Sequence, residues 1–526
     1  MAVAAGLIRP RGRAAAGAML AFGLLAGMAS AQDEPPSLIS AVPIPPEQVD
    51  KAVAQVDGIV ADVMARTGVP GVAVAVVQGG KPVLVKGYGV REAGKPEPVG
   101  PDTVFQLASV SKPVGATVVA REVGLGKVAW DTQMARLLPE FALQSRAVTR
   151  MLTIGDLYSH RSGLPDHAGD DLEDLGYDRR EIMARLRLLP LAPFRDSYAY
   201  TNFGLTAAAE AVATAAGTDW ATLSEDALYR PLGMSRTSSR FADYLAQADR
   251  AVPHMRTGGA WMAREQRQPD AESPAGGVSS SAADMGKWLA MLLADGAAAG
   301  QPLIPPEALA PALMPQAMSA PPATPADRPG FYGFGFNVGV SETGRVLLSH
   351  SGAFYLGAAT SFFAIPSVGV GIVVLTNAQP IGVPEAIGAT FTDLVQLGHP
   401  TRDWLATFGP LFAAISRPLG HLAGATPPPD PVPAGDLAAY AGHYANRYFG
   451  PIEITVDGVG LVLTAGPDRR AYPLAHWSGA SFTMTPTGEN APDGTISEVR
   501  FTGPDDRRSA VTVEFWDSAG LGTFTR

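Results

Sequence analysis

Val49, Val53, Val56, Val60 and Val63 recur at helical spacing, which predicts an amphipathic helix over Glu47–Arg66. Two apolar runs on either side of Gly79-Gly80, Val72–Val77 and Val83–Val90, predict a β-hairpin. A further apolar stretch follows Ser109 and predicts a helix running to about Val123. Helical patterns dominate residues 130–300, as in Asp284–Leu293. Short β-rich runs separated by Gly, Pro or Asn then return at Phe334–Val340, Val346–Ser349, Ala359–Ile365 and Val370–Leu375. Helices are predicted over Pro384–Leu397 and Arg402–Ile415.

Early and late strands thus flank a helical middle. The economical arrangement pairs the first hairpin with the late strands in one antiparallel sheet covered by helices, with a helical subdomain beside it. That is an α/β (α+β) layered domain, placed here over residues 47–420. Residues 421–435 contain Thr426-Pro427-Pro428-Pro429-Asp430-Pro431-Val432-Pro433 and read as a stiff linker. Alternating segments follow at Ile452-Ile454-Val456, Leu461-Leu463, Phe482-Met484 and Val511-Val513-Phe515, and predict a small all-β barrel over 436–526. No internal repeat interrupts this order.

Composition narrows the function. With 46% hydrophobic and 17% charged residues, the chain of 526 residues is globular and long enough for a large core. A net charge of -10 and the lack of a dense Lys/Arg cluster argue against nucleic acid or an anionic membrane as partner. The absence of Cys excludes disulfides, thiolate metal sites and a Cys nucleophile. Arg9, Arg11 and Arg13, the apolar stretch Ala14–Met28 and Ala29-Ser30-Ala31 form the pattern of a cleaved secretory signal over residues 1–31. A periplasmic or secreted protein with no membrane span after cleavage is therefore expected.

Three short strings carry candidate chemistry. Ser109-Val110-Ser111-Lys112 sits where an extended segment meets the apolar helix, and lysine is scarce in this Arg-rich chain. A helix brings residues i and i+3 to one face, so the Ser109 hydroxyl and the Lys112 amine would meet, and Arg could not serve as a base there. Tyr200-Thr201-Asn202 opens another Ala-rich helix, and His350-Ser351-Gly352 ends a strand. Each string alone reads as a cap, a packed aromatic or a turn.

In this order, S-x-x-K, Y-x-N and H-x-G resemble the signature of the serine β-lactamase/penicillin-binding-protein superfamily, and most closely its class C-related branch of esterases, D-aminopeptidases and DD-peptidases. The strings LTIGDLYSHRSGLPDH, RPLGMSRT, PAGGVSSSAADMGKWL and YGFGFNV agree, and the likeness spans about residues 50–380. The tail from Asp436 is similar to the lipocalin-like modules that follow some members. The resemblance implies Ser109 as acylated nucleophile, with Lys112 and Tyr200 sharing its deprotonation. It implies Asn202 as a donor to the substrate, and the N–H groups of Ser109 and Ala353 as the oxyanion hole. Gly352 would let the strand backbone approach the ligand.

One departure matters. Many lactamases and DD-peptidases carry Lys in the third motif to hold a substrate carboxylate, whereas this chain has His350, largely neutral at pH 7. An ester, amide or small D-amino-acid peptide is therefore the expected substrate, with a cell-wall DD-peptide or a β-lactam as the alternative. An idle binding or assembly module on the same fold is a further alternative. His160 and His167, near Asp166, Asp170 and Asp171, match no zinc spacing, and neither metal nor cofactor is expected.

Overall fold

The computed structural model describes residues 42–264, 266–458 and 460–526; the expected signal segment lies outside them. The layered domain contains, in chain order, α1 (Gln48–Thr67), β1 (Gly71–Gln78), β2 (Lys81–Gly89), α2 (Ser111–Gly124), α3 (Asn202–Ala216), α4 (Ala282–Leu293), β3 (Ala317–Ala320), β4 (Gly330–Tyr332), β5 (Asn337–Val340), β6 (Val346–Phe354), β7 (Ala358–Ile365), β8 (Val370–Thr376), α5 (Val383–Leu397) and α6 (Trp404–Ile415). The eight strands form one antiparallel sheet in the order β2-β1-β8-β7-β6-β5-β4-β3. The first hairpin joins the late strands through β1 and β8, with Val74 opposite Val374.

Both faces of this sheet are covered, which explains why β1 is apolar at nearly every position. Val72, Val74 and Val76 pack with Val49, Val56, Val60 and Val63 of α1 and with Ile387, Phe391 and Leu394 of α5. Ala73, Ala75 and Val77 face the other way, toward Met285, Trp288 and Leu289 of α4. Full burial of each such Val or Leu side chain contributes about 1.5–3 kcal/mol. Helix α2 is buried on almost every side, including its polar Ser111, Lys112, Thr117 and Glu122.

Some boundaries differ from the periodic reading. Ser109 does not open α2: Ala108–Val110 form a separate 3₁₀ turn, and the helix starts at Ser111. Phe334–Val340 is not one strand. It breaks at Gly335, whose φ of 83° makes a turn against the Lys112 carbonyl, and a Cβ there would lie 2.9 Å from that oxygen. Strand β6 runs on past Ser349 to Phe354, because its alternation of buried and half-buried positions continues through His350, Gly352 and Phe354.

The chain ends in a closed eight-stranded antiparallel barrel: β9 (Gly442–Asn446), β10 (Gly450–Asp457), β11 (Gly460–Ala465), β12 (Arg470–Ser478), β13 (Ser481–Met484), β14 (Ser497–Thr502), β15 (Ala510–Val513) and β16 (Thr523–Thr525). Pairing of Ala445 with Thr525 closes it. Aromatic side chains pack inside, with Phe482 and Phe501 edge-to-face against Tyr440 at 5.2 and 4.9 Å. The barrel docks on the helical side of the layered domain: Tyr177 donates to the Phe449 carbonyl at 2.6 Å and Arg185 to the Tyr448 carbonyl at 2.7 Å.

Candidate active site

Ser109 sits on a strained turn. Ala108, directly before it, has φ 48°, a left-handed conformation that a Cβ makes unfavourable by about 1–2 kcal/mol. Burial of Ala108 against Phe354 and Ala358 holds that turn in place. The outcome is a partly exposed hydroxyl at the floor of a cleft of about 880 Å³.

One turn further on, Lys112 is fully buried. Its Nζ lies 3.1 Å from Ser109 Oγ, 2.7 Å from Asn202 Oδ1 and 3.0 Å from the Ala275 carbonyl. Burial pushes the amine down to about 7, against the pull of the Glu272 and Asp170 carboxylates. The face of the Tyr200 ring lies 4.4 Å from the same nitrogen, and Tyr200 lines the cleft beside Ser109. Burial pushes that phenol well above its ordinary value, so Tyr200 stays protonated near neutral pH.

Asn202 is the first residue of α3 rather than its cap. Its side chain instead bridges Lys112 and Asp170, donating to Asp170 Oδ2 at 2.9 Å. Ser109, Lys112, Tyr200 and Asn202 are thus gathered at one point from the α2 and α3 ends.

The third motif divides. Ala353 lines the cleft together with Ser351. Gly352 supports Ser109 from behind: a Cβ on it would overlap the Leu107 carbonyl and Thr360 Oγ1 and approach the Ser109 nitrogen to 3.0 Å. The glycine therefore allows close packing of β6 against the serine turn. His350 is not among the side chains lining the cleft. It is buried, and both ring nitrogens are engaged, Nε2 with the Tyr332 hydroxyl at 2.9 Å and Nδ1 with the Ser351 carbonyl at 2.7 Å. Burial beside the Lys112 charge pushes it down to about 3, so it is neutral. The ring of His350 thus braces the tyrosine cluster from behind Ser351.

Other contributors, named above only as matching no zinc spacing, take up supporting places here. His160, with φ 56°, accepts the Thr201 N–H on Nδ1 at 3.2 Å, and its ring packs against Tyr200 at 4.6 Å. It thereby fixes the tyrosine. Asp170 also accepts from His167 Nδ1 at 2.8 Å. Burial opposes charge on His167, but the Asp170 hydrogen bond and charge raise it to about 9. Among the described residues, no group of three or more His, Asp or Glu is placed to hold a metal ion.

The barrel supplies another wall. Glu489, between β13 and β14, accepts the N–H groups of Tyr355 at 2.6 Å and Leu356 at 3.2 Å, directly after β6. It also pairs with Arg267 at 3.6 Å, and Arg267 in turn pairs with Glu173 and, at 3.0 Å, with Glu272. Asp174 accepts the N–H groups of Glu489 and Asn490 and so anchors this loop. Partners this distant in sequence leave no local spacing signal.

A serine hydroxyl, an amine of lowered basicity, a neutral phenol and a strand edge therefore converge in one cleft, a set suited to acyl transfer. Comparison with known proteins agrees. The sequence profile of the family described as Beta-lactamase matches residues 56–397, and that of a domain of unknown function (DUF3471) matches 426–521. The unguisins hydrolase ungD of Aspergillus violaceofuscus is 27% identical over 462 residues, 79% of this chain and 80% of that protein. Penicillin-binding protein 4 of Amycolatopsis lactamdurans is 31% identical over 241 residues, 44% of this chain and 61% of that protein. The octameric penicillin-binding protein homologue of Pyrococcus abyssi superposes with a TM-score of 0.58 at 19% identity, over 90% of this chain and all of that one, a likeness of fold. With a profile covering most of its length, the chain belongs to the β-lactamase family of serine hydrolases.

Proposed function

We propose that the protein hydrolyses an ester, amide or small-peptide bond through an acyl-Ser109 intermediate. The observation that carries this reading is the 3.1 Å contact between Ser109 Oγ and the buried Lys112 amine. As an ammonium, Lys112 donates to Ser109, Asn202 and Ala275 together. As an amine it keeps the last two and turns its lone pair to the Ser109 hydroxyl, taking the proton as Oγ attacks the carbonyl carbon. Tyr200, still protonated, passes a proton to the leaving group and takes one back from the attacking water, while Lys112 returns its proton to Ser109 Oγ as the acyl-enzyme breaks. The N–H groups of Ser109 and Ala353 would take the oxyanion.

Two features favour Lys112 over Tyr200 as base: its lowered basicity and the raised phenol. The neutral, engaged His350 supports a substrate without a carboxylate at that point, and so an ester or amide over a β-lactam or DD-peptide. The N-terminal Arg residues and Ala29-Ser30-Ala31 support export to the periplasm or beyond. An idle binding module has no use for the Ser109, Lys112 and Tyr200 geometry.

The test is a panel of p-nitrophenyl esters, D-amino-acid amides, D-Ala-D-Ala peptides and nitrocefin with wild type and Ser109→Ala. Turnover of esters or amides, and labelling by an acylating probe, should vanish in the variant. Labelling that survives it would reject Ser109 as nucleophile.

A further inference from the structure

Helix α6 leaves an apolar face uncovered. Its twelve residues, Trp404–Ile415, include no charged side chain, yet none of them is buried. One face is seated: Phe408 and Phe412 press on Gly382 at the start of α5, where a Cβ would lie 2.8 Å from Phe408 Cβ and 3.3 Å from Phe412 Cδ2. The other face is open. Leu411 and Ile415, one turn apart, are 62% and 55% exposed, and Leu419 beyond the helix end is 46% exposed. An apolar helix ordinarily buries its apolar stripe, and an exposed contiguous one marks a binding surface.

This stripe runs into the Ser109 cleft. Phe412, Ile415 and Leu419 line the same cavity as Ser109, together with Pro380 and, from the barrel, Ile496 and Phe515. The lining residues between Pro380 and Gly420 carry no charge, and the carboxylates of the cleft come from other segments. The wall is also fixed. Leu419 donates its N–H to Thr495 Oγ1 at 3.0 Å and accepts the Ile496 N–H at 3.1 Å, and the His421 N–H donates to Glu514 Oε1 at 2.9 Å. Between them Gly420, with φ 92°, lies so close to the barrel that a Cβ would overlap the Ile496 carbonyl. The barrel thereby clamps the α6 end of the cleft open, and a cavity of about 880 Å³ is far larger than a two-carbon acyl group fills.

We propose that α6, the segment after it and the barrel form a subsite for a hydrocarbon chain. The substrate is then an amphiphilic ester or amide whose chain lies against Phe412, Ile415, Leu419, Ile496 and Phe515 while its carbonyl meets Ser109. An uncharged, preformed wall suits such a chain, and each methylene it covers leaves water together with the side chains now exposed. Continuity between the exposed stripe and the nucleophile makes part of the substrate the occupant, rather than an unrelated partner. The turnover expected below rests on the hydrolase reading above, whereas the binding of a chain does not.

The experiment uses two ester series, each kept below its micelle concentration. p-Nitrophenyl acetate, butanoate, hexanoate and octanoate vary the acyl chain, and ethyl to octyl acetates, followed by pH-stat, vary the alcohol chain. In one of the two series kcat/KM should rise about three- to fourfold per added methylene, the fold-change of full methylene burial. Ile415 and Leu419 are exposed, so serine at either position costs the fold little. In Ile415→Ser and Leu419→Ser the ratio of longest to shortest substrate should fall about tenfold or more, whatever happens to the absolute rates. Calorimetric titration of octyl glucoside and methyl glucoside into wild type and Ser109→Ala needs no turnover. The octyl compound should bind at least about tenfold more tightly in both proteins, and Leu419→Ser should shrink that advantage. A flat or falling chain-length dependence in both series, or equal binding of the two glucosides, would overturn the proposal. So would a dimer in analytical ultracentrifugation that Leu411→Ser dissociates, if Ile415→Ser and Leu419→Ser leave the chain-length dependence unaltered; the stripe would then belong to a second copy. Octyl glucoside binding without Ser109-dependent turnover of any ester would instead reject the hydrolase reading and leave the subsite standing.

Discussion

Glu489, carried by the barrel, accepts the backbone N–H of Tyr355 at 2.6 Å, two residues beyond Ala353 on the strand that borders the serine. The barrel therefore holds the end of β6 and, through Arg267, the acidic wall of the cleft. Replacing Glu489 with Ala leaves two N–H groups without their acceptor, each worth about 1–3 kcal/mol if it stays buried. We expect a lower urea-unfolding midpoint and a kcat reduced about tenfold or more, since slight displacement at a reacting centre is expensive. Unchanged kcat in a stably folded Glu489→Ala protein would show that the clamp is irrelevant to turnover.

The pH profile follows from Lys112. Burial brings its amine to about 7, and the unprotonated form is the one able to accept the Ser109 proton. The sign is therefore fixed: kcat/KM should rise with pH through about 7 and fall about tenfold per unit well below it. Lys112→Arg keeps a cation that cannot serve as a base, and should be inactive at every pH with its fold intact by circular dichroism. A flat profile between pH 5 and 8 would assign the base elsewhere.

Tyr200→Phe removes only the hydroxyl; the ring keeps its packing against His160 at 4.6 Å. Loss of the proton relay should lower kcat by about 10²–10⁴ with little change in thermal stability. Single-turnover kinetics with an activated and a poor leaving group check this. The loss should be larger for the poor leaving group, which depends more on protonation.

Gly352→Ala places a methyl group against the Leu107 carbonyl and Thr360 Oγ1, both fixed by their own hydrogen bond of 2.6 Å. Neither can retreat cheaply. The variant should be destabilised by about 1–3 kcal/mol, as overpacked sites are, and should lose most acylation because the serine turn shifts. Differential scanning calorimetry and probe labelling measure the two effects separately.

Much of the fold was legible because its signals are local. The valine row of α1 and the hairpin Val72–Val90 report burial on known faces, and the Pro-rich run near Thr426 punctuates the chain. Barrel strands with clean alternation were legible too, whereas Arg470–Ser478 and Ser497–Thr502 were not. In the first, outward Ala471, Pro473 and Ala475 blur the contrast with inward Tyr472 and Leu474, and in the second a polar Ser497 takes the first inward position. Ser109 and Lys112 were legible as a pair because helical spacing alone brings them near each other. Their link to Tyr200, Asn202 and His350 came from the order of motifs, not from any local physics.

The sequence by itself determined the two-part architecture, the pairing of the first hairpin with the late strands, and the residues at the cleft floor. Each of these follows from periodicity or from motif residues. Only the tertiary structure decided how those residues work. Burial of Lys112 sets its basicity, burial and the Tyr332 contact hold His350 as a neutral ring, and Gly352 answers to the Leu107 carbonyl across 245 residues of chain. The acidic wall of Glu173, Glu272 and Glu489 likewise appears only when distant segments close around Arg267. Desolvation and long-range packing depend on what lies nearby in space, and no short stretch of sequence carries that.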